Sequence, residues 1–329
     1  MDRMHARRTD RRRALVALAA SAMSLGARAQ SDFPNRPLKI IVPQPPGGGF
    51  DFVARTLAEP LGRALGQSVV VENRPGSGTL VGTDAAAKAA PDGYTLLVGS
   101  VSNMVLNGGL YPSLPYDPQR DFEPLGVAVG YSYTLMSRKD LGIETLAEML
   151  KQAKAKPRAL TYASAGNGSG QHVLAASAWH SAGVELLHVP YRGAQAAYQD
   201  LLGGRVDLFF DLAPTARTQV AAGTVKALAT SGAQRNPMHP DVPTLREGGV
   251  DLELESWFGL FAPVRTPAPA LARLRDELLR AARSSEVQAV FTNAGGRPLA
   301  LNADDTRALL ARDLQRWVPL VRAAGLKAD

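Results

Sequence analysis

A five-residue apolar run, Leu38-Lys39-Ile40-Ile41-Val42, breaks at Pro43-Gln44-Pro45-Pro46-Gly47-Gly48-Gly49 and resumes as Phe50-Asp51-Phe52-Val53-Ala54-Arg55-Thr56-Leu57-Ala58, with apolar residues at helical spacing. A strand, a Pro/Gly turn and a helix start must therefore follow one another directly. The first turn of a helix leaves backbone N–H groups without intrahelical partners, at the positive end of the helix dipole. Gly47, Gly48 and Gly49 let a ligand approach those groups closely, so the turn reads as an anion seat. The device recurs where Ala159-Leu160-Thr161-Tyr162-Ala163 enters Ser164-Ala165-Gly166-Asn167-Gly168-Ser169-Gly170 and a helix begins near Gln171 and His172. Either turn alone is equally well read as a tight strand–helix connection. Two of them at corresponding positions point to one ligand held from two sides.

The first helical run stops at Gly66, a C-terminal cap. Residues 68–72 then read as a buried strand, 73–78 as a loop, 85–90 as a helix ended by Pro91-Asp92-Gly93, and 94–99 as a third strand. This alternation predicts a parallel sheet with helices on its faces. Ser100-Val101-Ser102-Asn103 falls at the carboxyl end of the third strand, the edge where open α/β sheets take ligands, so Ser100 and Asn103 join the candidate lining. Residues 107–121 read as loop and 125–136 as a long strand leaving the first domain. Thr145-Leu146-Ala147-Glu148 is a capping box that opens a second αβ run. In it, helices at 171–182 and 194–202 alternate with strands at 185–189, 206–210 (closing at Asp211) and 225–230. Residues 253–262 resemble a second long crossing strand. Helices at 269–282, 285–294 and 304–323 need a sheet to cover, and the first is the natural one. The expected fold is α/β and two-lobed, with residues 30–128 and 256–329 as domain 1 and 129–255 as domain 2. Two crossing strands form the hinge, and the ligand cleft lies between the lobes.

Composition is informative once the leader is set aside. Arg11-Arg12-Arg13, an apolar run over residues 14–26 and Ala27-Arg28-Ala29 have the pattern of a secretory signal peptide cleaved after Ala29, too short to span a bilayer. The paired arginines leave Sec and twin-arginine export both open. Residues 1–29 carry seven arginines and two aspartates, so the chain's 37 basic and 30 acidic residues become 30 and 28, and the net charge drops from +7 to +2. The basicity belongs mostly to the leader and gives no support for nucleic-acid binding. With no cysteine, disulfides, thiolate metal sites and thiol catalysis are excluded. Neither Gly-rich turn has the GK[ST] end of a P-loop or GxGxxG spacing, and His180, His188 and His239 show no metal spacing. No cofactor or metal is expected. Hydrolysis would require Ser164 or Ser169 activated by His172, and no residue stands out to orient that histidine. Trp179 and Trp257 read as core.

A family resemblance rests on ordered blocks: Ile41-Val42-Pro43 with Gly47-Gly48-Gly49 and Asp51, Glu72-Asn73-Arg74-Pro75-Gly76, Pro91-Asp92-Gly93-Tyr94-Thr95-Leu96, Leu114-Pro115-Tyr116-Asp117, and Asp121-Phe122. They continue through His188-Val189-Pro190-Tyr191-Arg192-Gly193, the run from Asp200 to Asp207, and Pro240-Asp241-Val242-Pro243-Thr244. In these blocks the chain resembles the Bug family, the periplasmic solute-binding receptors of tripartite tricarboxylate transporters. The resemblance implies a type II periplasmic-binding-protein fold, a periplasmic monomer, capture of a small carboxylate, handover to membrane permease subunits, and no catalysis. A receptor that docks on a membrane signalling partner is the alternative, because both roles use the same ligand-driven closure.

By matching position, the implied contacts are Gly47, Gly48, Gly49, Phe50 and Asp51 from the first lobe. From the second come Ser164, Ala165, Gly166, Asn167, Gly168, Ser169 and His172, with Asp211 closing a matching strand. The chain departs from the family pattern at Gln44, where Phe is common, at Phe50, where a hydroxyl residue is common, at Ser177 and at Leu212. The first two exchanges predict an apolar or aromatic patch on the ligand near Phe50. Asp51 reads best as a brace for the helix, because a carboxylate aimed into an anion seat would repel the ligand. His172 either donates to a ligand oxygen or makes a local hydrogen bond. Asp211 either accepts nearby N–H groups or pairs with a ligand amine.

Overall fold

Burial on both faces explains why Leu38–Val42 (β1) reads as a nearly unbroken apolar run: it is an inner strand, paired in parallel with Val69–Asn73 (β2) on one side and Thr95–Ser100 (β3) on the other. The computed structural model describes residues 33–323 and Gly325, and the fold is that of the unit beginning at Pro37. The leader and its cleavage after Ala29 lie outside the described residues. The connections from β1 to β2 and from β2 to β3 are the helices Gly49–Leu65 (α1) and Leu80–Ala87 (α2), as the strand–helix alternation predicts.

The chain then departs from simple alternation. After β3 it forms a π-helical turn at Ser102–Leu106 and a short helix at Asn107–Leu110 (α3), where a loop is expected from residue 107 onward. It continues into a 17-residue strand, Phe122–Arg138 (β4), buried almost throughout. The half of β4 from Phe122 to Ser132 pairs antiparallel with Glu255–Pro263 (β9) and carries Gly296–Leu301 (β10) on its other edge. From Tyr133 onward the same two edges pair with Leu208–Leu212 (β7) and Val225–Thr230 (β8). One strand thus belongs to two sheets. The first runs β2-β1-β3-β9-β4 and the second runs β4-β7, then Thr161–Ser164 (β5) and Leu187–Pro190 (β6).

The second sheet has its own helices, Leu146–Ala155 (α4), Gly170–Ala182 (α5), Ala194–Leu202 (α6) and Ala213–Ala221 (α7). The predicted capping box is present: Thr145 Oγ1 accepts from the Glu148 N–H, and Glu148 returns a carboxylate oxygen to the Thr145 N–H. The chain returns to the first sheet beside its outward crossing, where the Ser231 N–H donates to the Tyr133 carbonyl and the Leu254 N–H to the Ser231 carbonyl, both at 2.9 Å. β9 begins at this point, opposite Ser132, and its pairs all lie in the first sheet. The C-terminal helices Ala268–Arg283 (α8), Ser285–Asn293 (α9) and Ala303–Ala323 (α10) cover that first sheet, with Trp257 Nε1 on β9 donating to Asp313 Oδ2 on α10 at 2.8 Å.

Besides the π-helical turn and α3, two further elements have no counterpart in the sequence pattern. Gly296 and Pro298 mask β10, which is an edge strand with a register shift after Pro298. Pro214 in the first turn and the polar run from Thr215 to Gln219 hide the helical period of α7.

Candidate functional site

The first turn is rigid because Asp51 ties it to itself. Asp51 Oδ2 accepts the Gly47 N–H at 3.0 Å and Arg55 Nε at 2.9 Å, while Oδ1 accepts Asn73 Nδ2 at 3.1 Å. Asn73 Nδ2 also donates to the Gln44 carbonyl at 3.0 Å, locking the loop against the end of β2. Burial pushes the Asp51 carboxyl up, but hydrogen bonds from Arg55, Gly47 and Asn73 outweigh it and hold the pKa below its ordinary value. Asp51 is therefore an ionised brace. Gly48, the residue before α1, makes no side-chain cap, so no side chain of the turn occupies the first-turn N–H groups of that helix. Phe50 is buried edge-on against Phe258, with ring centroids 5.1 Å apart, and belongs to an aromatic cluster with Tyr131 and Phe291. That packing explains the Phe at this position without a ligand.

At the third segment, Asn103 Oδ1 accepts the Ser100 N–H at 2.8 Å, and Nδ2 donates to Thr83 Oγ1 and the Val98 carbonyl. Ser100 Oγ accepts the Ser102 N–H at 3.1 Å. Asn103 is thus consumed in holding the π-helical turn on α2. This turn carries Ser102, which with Tyr133 packs on Gly170 at the start of α5, and Ser256 adjoins the Tyr133 hydroxyl. Burial pushes the Tyr133 phenol up to about 12, so it stays a neutral donor at the boundary of the two sheets.

The second turn is capped where the first is open. Ser169 Oγ accepts the His172 N–H at 3.3 Å, His172 Nδ1 accepts the Gly168 N–H at 3.3 Å, and the Gly166 N–H donates to Ser164 Oγ at 3.2 Å. His172 therefore makes the local hydrogen bond, and its ring lies flat on His188 with centroids 4.1 Å apart and planes 8° from parallel. His188 is sandwiched, with Tyr162 on its other face at 4.9 Å, and its Nε2 stands 2.7 Å from Ser164 Oγ. Burial and the adjoining His172 pull the His188 imidazole down to about 3, so it is neutral at physiological pH. His188 is the main residue that the sequence reading missed at this site. It is 24 positions from Ser164 and is aligned with it only by the parallel register that sets Tyr162 opposite His188.

Asp211 is fully enclosed. Its Oδ1 accepts Gln171 Nε2 at 3.0 Å, and Oδ2 takes a short hydrogen bond from Thr215 Oγ1. Burial pushes this carboxyl up, against the donors Thr215, Gln171, the Leu212 N–H and Tyr198. Of its two sequence-level roles, the structure fills that of internal acceptor, tying the first turn of α5 to the end of β7.

Each turn packs against the opposite lobe. Gln195 Nε2 on α6 donates to the Gly47 carbonyl at 3.1 Å, and Gly49 packs so closely on Leu212 that a Cβ at Gly49 would lie 2.3 Å from Leu212 Cδ1. Similarly, a Cβ on Gly78 would lie 2.4 Å from the Asn167 carbonyl oxygen. A cavity of about 520 Å³ opens beside these contacts, with Pro43, Pro45, Ser77 and Tyr111 on one side and Asn167, Pro190 and Tyr191 on the other. Of the predicted residues, Ala165, Gly166 and Asn167 line it. Gly47 and Asp51 instead border a second cavity of about 620 Å³ with Gln195 and Thr215. Gln44, Gly48, Gly49, Phe50, Ser100, Asn103, Ser164, Gly168, Ser169, His172 and Asp211 lie in the supporting layer outside both linings. Among the described residues no group of three or more His, Asp or Glu side chains is placed to hold a metal ion, and no helix is long and apolar enough to cross a membrane.

Two sheets that share one long strand, each with a glycine-bearing turn between a strand and a helix, form the two-lobed fold of a solute-binding protein. Residues 53–326 match the tripartite tricarboxylate transporter family receptor, and the chain belongs to that family. It is 38% identical over 328 residues to a UPF0065 protein from the tcbD-tcbE intergenic region of Pseudomonas sp. strain P51, covering 97% of this chain and 96% of the relative. The solved structure of the periplasmic binding protein BugD is similar at 34% identity with a TM-score of 0.86, over 90% of this chain and 100% of BugD. MatC from Rhodopseudomonas palustris with bound malate is similar at 33% identity with a TM-score of 0.83, over 88% of this chain and 100% of MatC.

Proposed function

We propose that this protein captures a small carboxylate between its lobes, delivers it to the membrane components of a tripartite tricarboxylate transporter, and performs no chemistry on it. The observation that carries the reading is the uncapped start of α1 in a Gly-rich turn that Asp51 braces and that meets the other lobe at Gln195. A helix N-terminus of this kind favours an anion without a cationic side chain. Membership of the receptor family and the malate bound to MatC support the same ligand class. The lobes in this reading are residues 30–128 with 256–329, and 129–255, closing about the β4 crossing. The chain is exported to the periplasm after loss of residues 1–29 and acts there as a monomer.

The Ser164–His188 pair has the spacing of a nucleophile and base, but burial and His172 are the influences on His188, and among the described residues no carboxylate orients it. It serves as a polar strut under the second turn. The test is a thermal-shift screen against mono-, di- and tricarboxylates and their amides. A ligand that binds only the folded protein raises the melting temperature, and stabilisation by an acid but not by its amide is expected. No stabilisation by any acid, after removal of copurified ligand, would refute the reading.

A further inference from the structure

The 520 Å³ cavity between the lobes has a wall chemistry that the two Gly-rich turns do not explain. Its sides are built from flat, rigid surfaces: the rings of Pro43 and Pro45 from the first lobe, Pro190 from the second, and one tyrosine from each, Tyr111 and Tyr191. Both phenol hydroxyls are tied, Tyr111 Oη donating to the Ser77 carbonyl at 3.2 Å and Tyr191 Oη to Asp200 Oδ2 at 2.8 Å. With their hydroxyls engaged, both rings are held in place as apolar plates. Among the described residues no acidic side chain lines the cavity. Among the described residues its one cationic side chain is Arg192, which has no hydrogen bond or ion pair with any of them. Most arginines elsewhere on this surface are already matched with a carboxylate, as Arg55 is with Asp51 and Arg205 with Asp200.

A guanidinium without an acidic partner, at the rim of a cavity walled by prolines and tyrosines, calls for an anion at one end of a flat apolar body. Resting on the carboxylate-receptor reading, we infer that the ligand is an aromatic dicarboxylate: one carboxylate is held at the Gly-rich turns, the ring lies between the proline and tyrosine walls, and the second carboxylate pairs with Arg192. A short aliphatic diacid leaves those walls without a partner, and a flexible one of equal length loses more conformational freedom on binding.

The test is calorimetric titration of the purified protein with terephthalate, benzoate and adipate. Terephthalate is expected to bind at least tenfold more tightly than adipate. Arg192→Gln is expected to weaken terephthalate about fivefold more than benzoate, the size suited to a partly solvated charge pair. Tyr191→Phe, which keeps the ring and drops only the Asp200 bond, should retain the preference for ring acids, and Tyr191→Ala should lose it. Adipate binding as tightly as terephthalate, or equal losses for terephthalate and benzoate in Arg192→Gln, would overturn the inference and leave the carboxylate reading standing. Failure of all three acids together with every other carboxylate would remove both.

Discussion

At Asp51 three donors meet one carboxylate, and that geometry makes the residue a support for the anion seat instead of a threat to it. Asp51→Ala leaves the Gly47 N–H without its acceptor and removes one of the two acceptors of the Asn73 amide. It should lower stability by about 1.5–3 kcal/mol, the range for hydrogen bonds to a charged group, read as a shift in the urea midpoint. A change of less than about 0.5 kcal/mol, typical of an inconsequential surface site, would show that the brace is dispensable. His188 makes a prediction in pH. Its folded pKa is about 3 against the ordinary 6.5, so between those values the unfolded chain binds a proton that the folded chain refuses. Stability contributed by neutral His188 is complete above about pH 6.5 and is lost as the pH falls toward 3. Urea titrations at pH 7 and pH 5 should show a smaller acid-induced loss in His188→Phe than in the parent. Equal losses would assign the acid sensitivity elsewhere.

Among the elements, the two seat helices differ in one respect with a functional consequence. α5 is capped by Ser169, whereas α1 starts from Gly48 with no side-chain cap. Gly48 is in extended backbone, at φ −96° and ψ 178°, and a Cβ there would meet only Gln44 Oε1, at 3.6 Å. Gly48→Asp is therefore sterically tolerated and would cap α1 with a carboxylate of the protein's own. It should raise stability in the absence of ligand by a few tenths to about 1 kcal/mol and weaken carboxylate binding by occupying and opposing the same site. Tighter binding in this variant would mean that the anion does not sit at the start of α1. The order of β1, α1, β2, β3, α5 and the C-terminal helices is readable from local periodicity and turn residues, because each depends on neighbours in the chain. β10 and α7 are not, since edge pairing and a proline in the first turn hide their periods.

For the whole molecule, the central fact is that β4 serves both sheets and changes all its partners between Ser132 and Tyr133. The lobes meet through contacts that leave no room for a side chain. Gly78 has φ +72° and would place a Cβ 2.4 Å from the Asn167 carbonyl oxygen, so Gly78→Ala combines left-handed backbone strain with a backbone clash across the cleft. Strain of about 1–2 kcal/mol plus the clash should lower carboxylate affinity at least about tenfold. Unchanged affinity in a folded variant would mean that binding does not require this closure. Sequence alone determined the αβ alternation, the long apolar strand, both Gly-rich turns and the bracing role of Asp51, because all of these follow from residues within a few positions of one another. Only the tertiary structure decided that His188 sits against Ser164, that Phe50 belongs to the core, and that Tyr111 and Arg192 share a cavity. Those neighbours are brought together by strand register and by the approach of two lobes, and no local pattern of residue types records either.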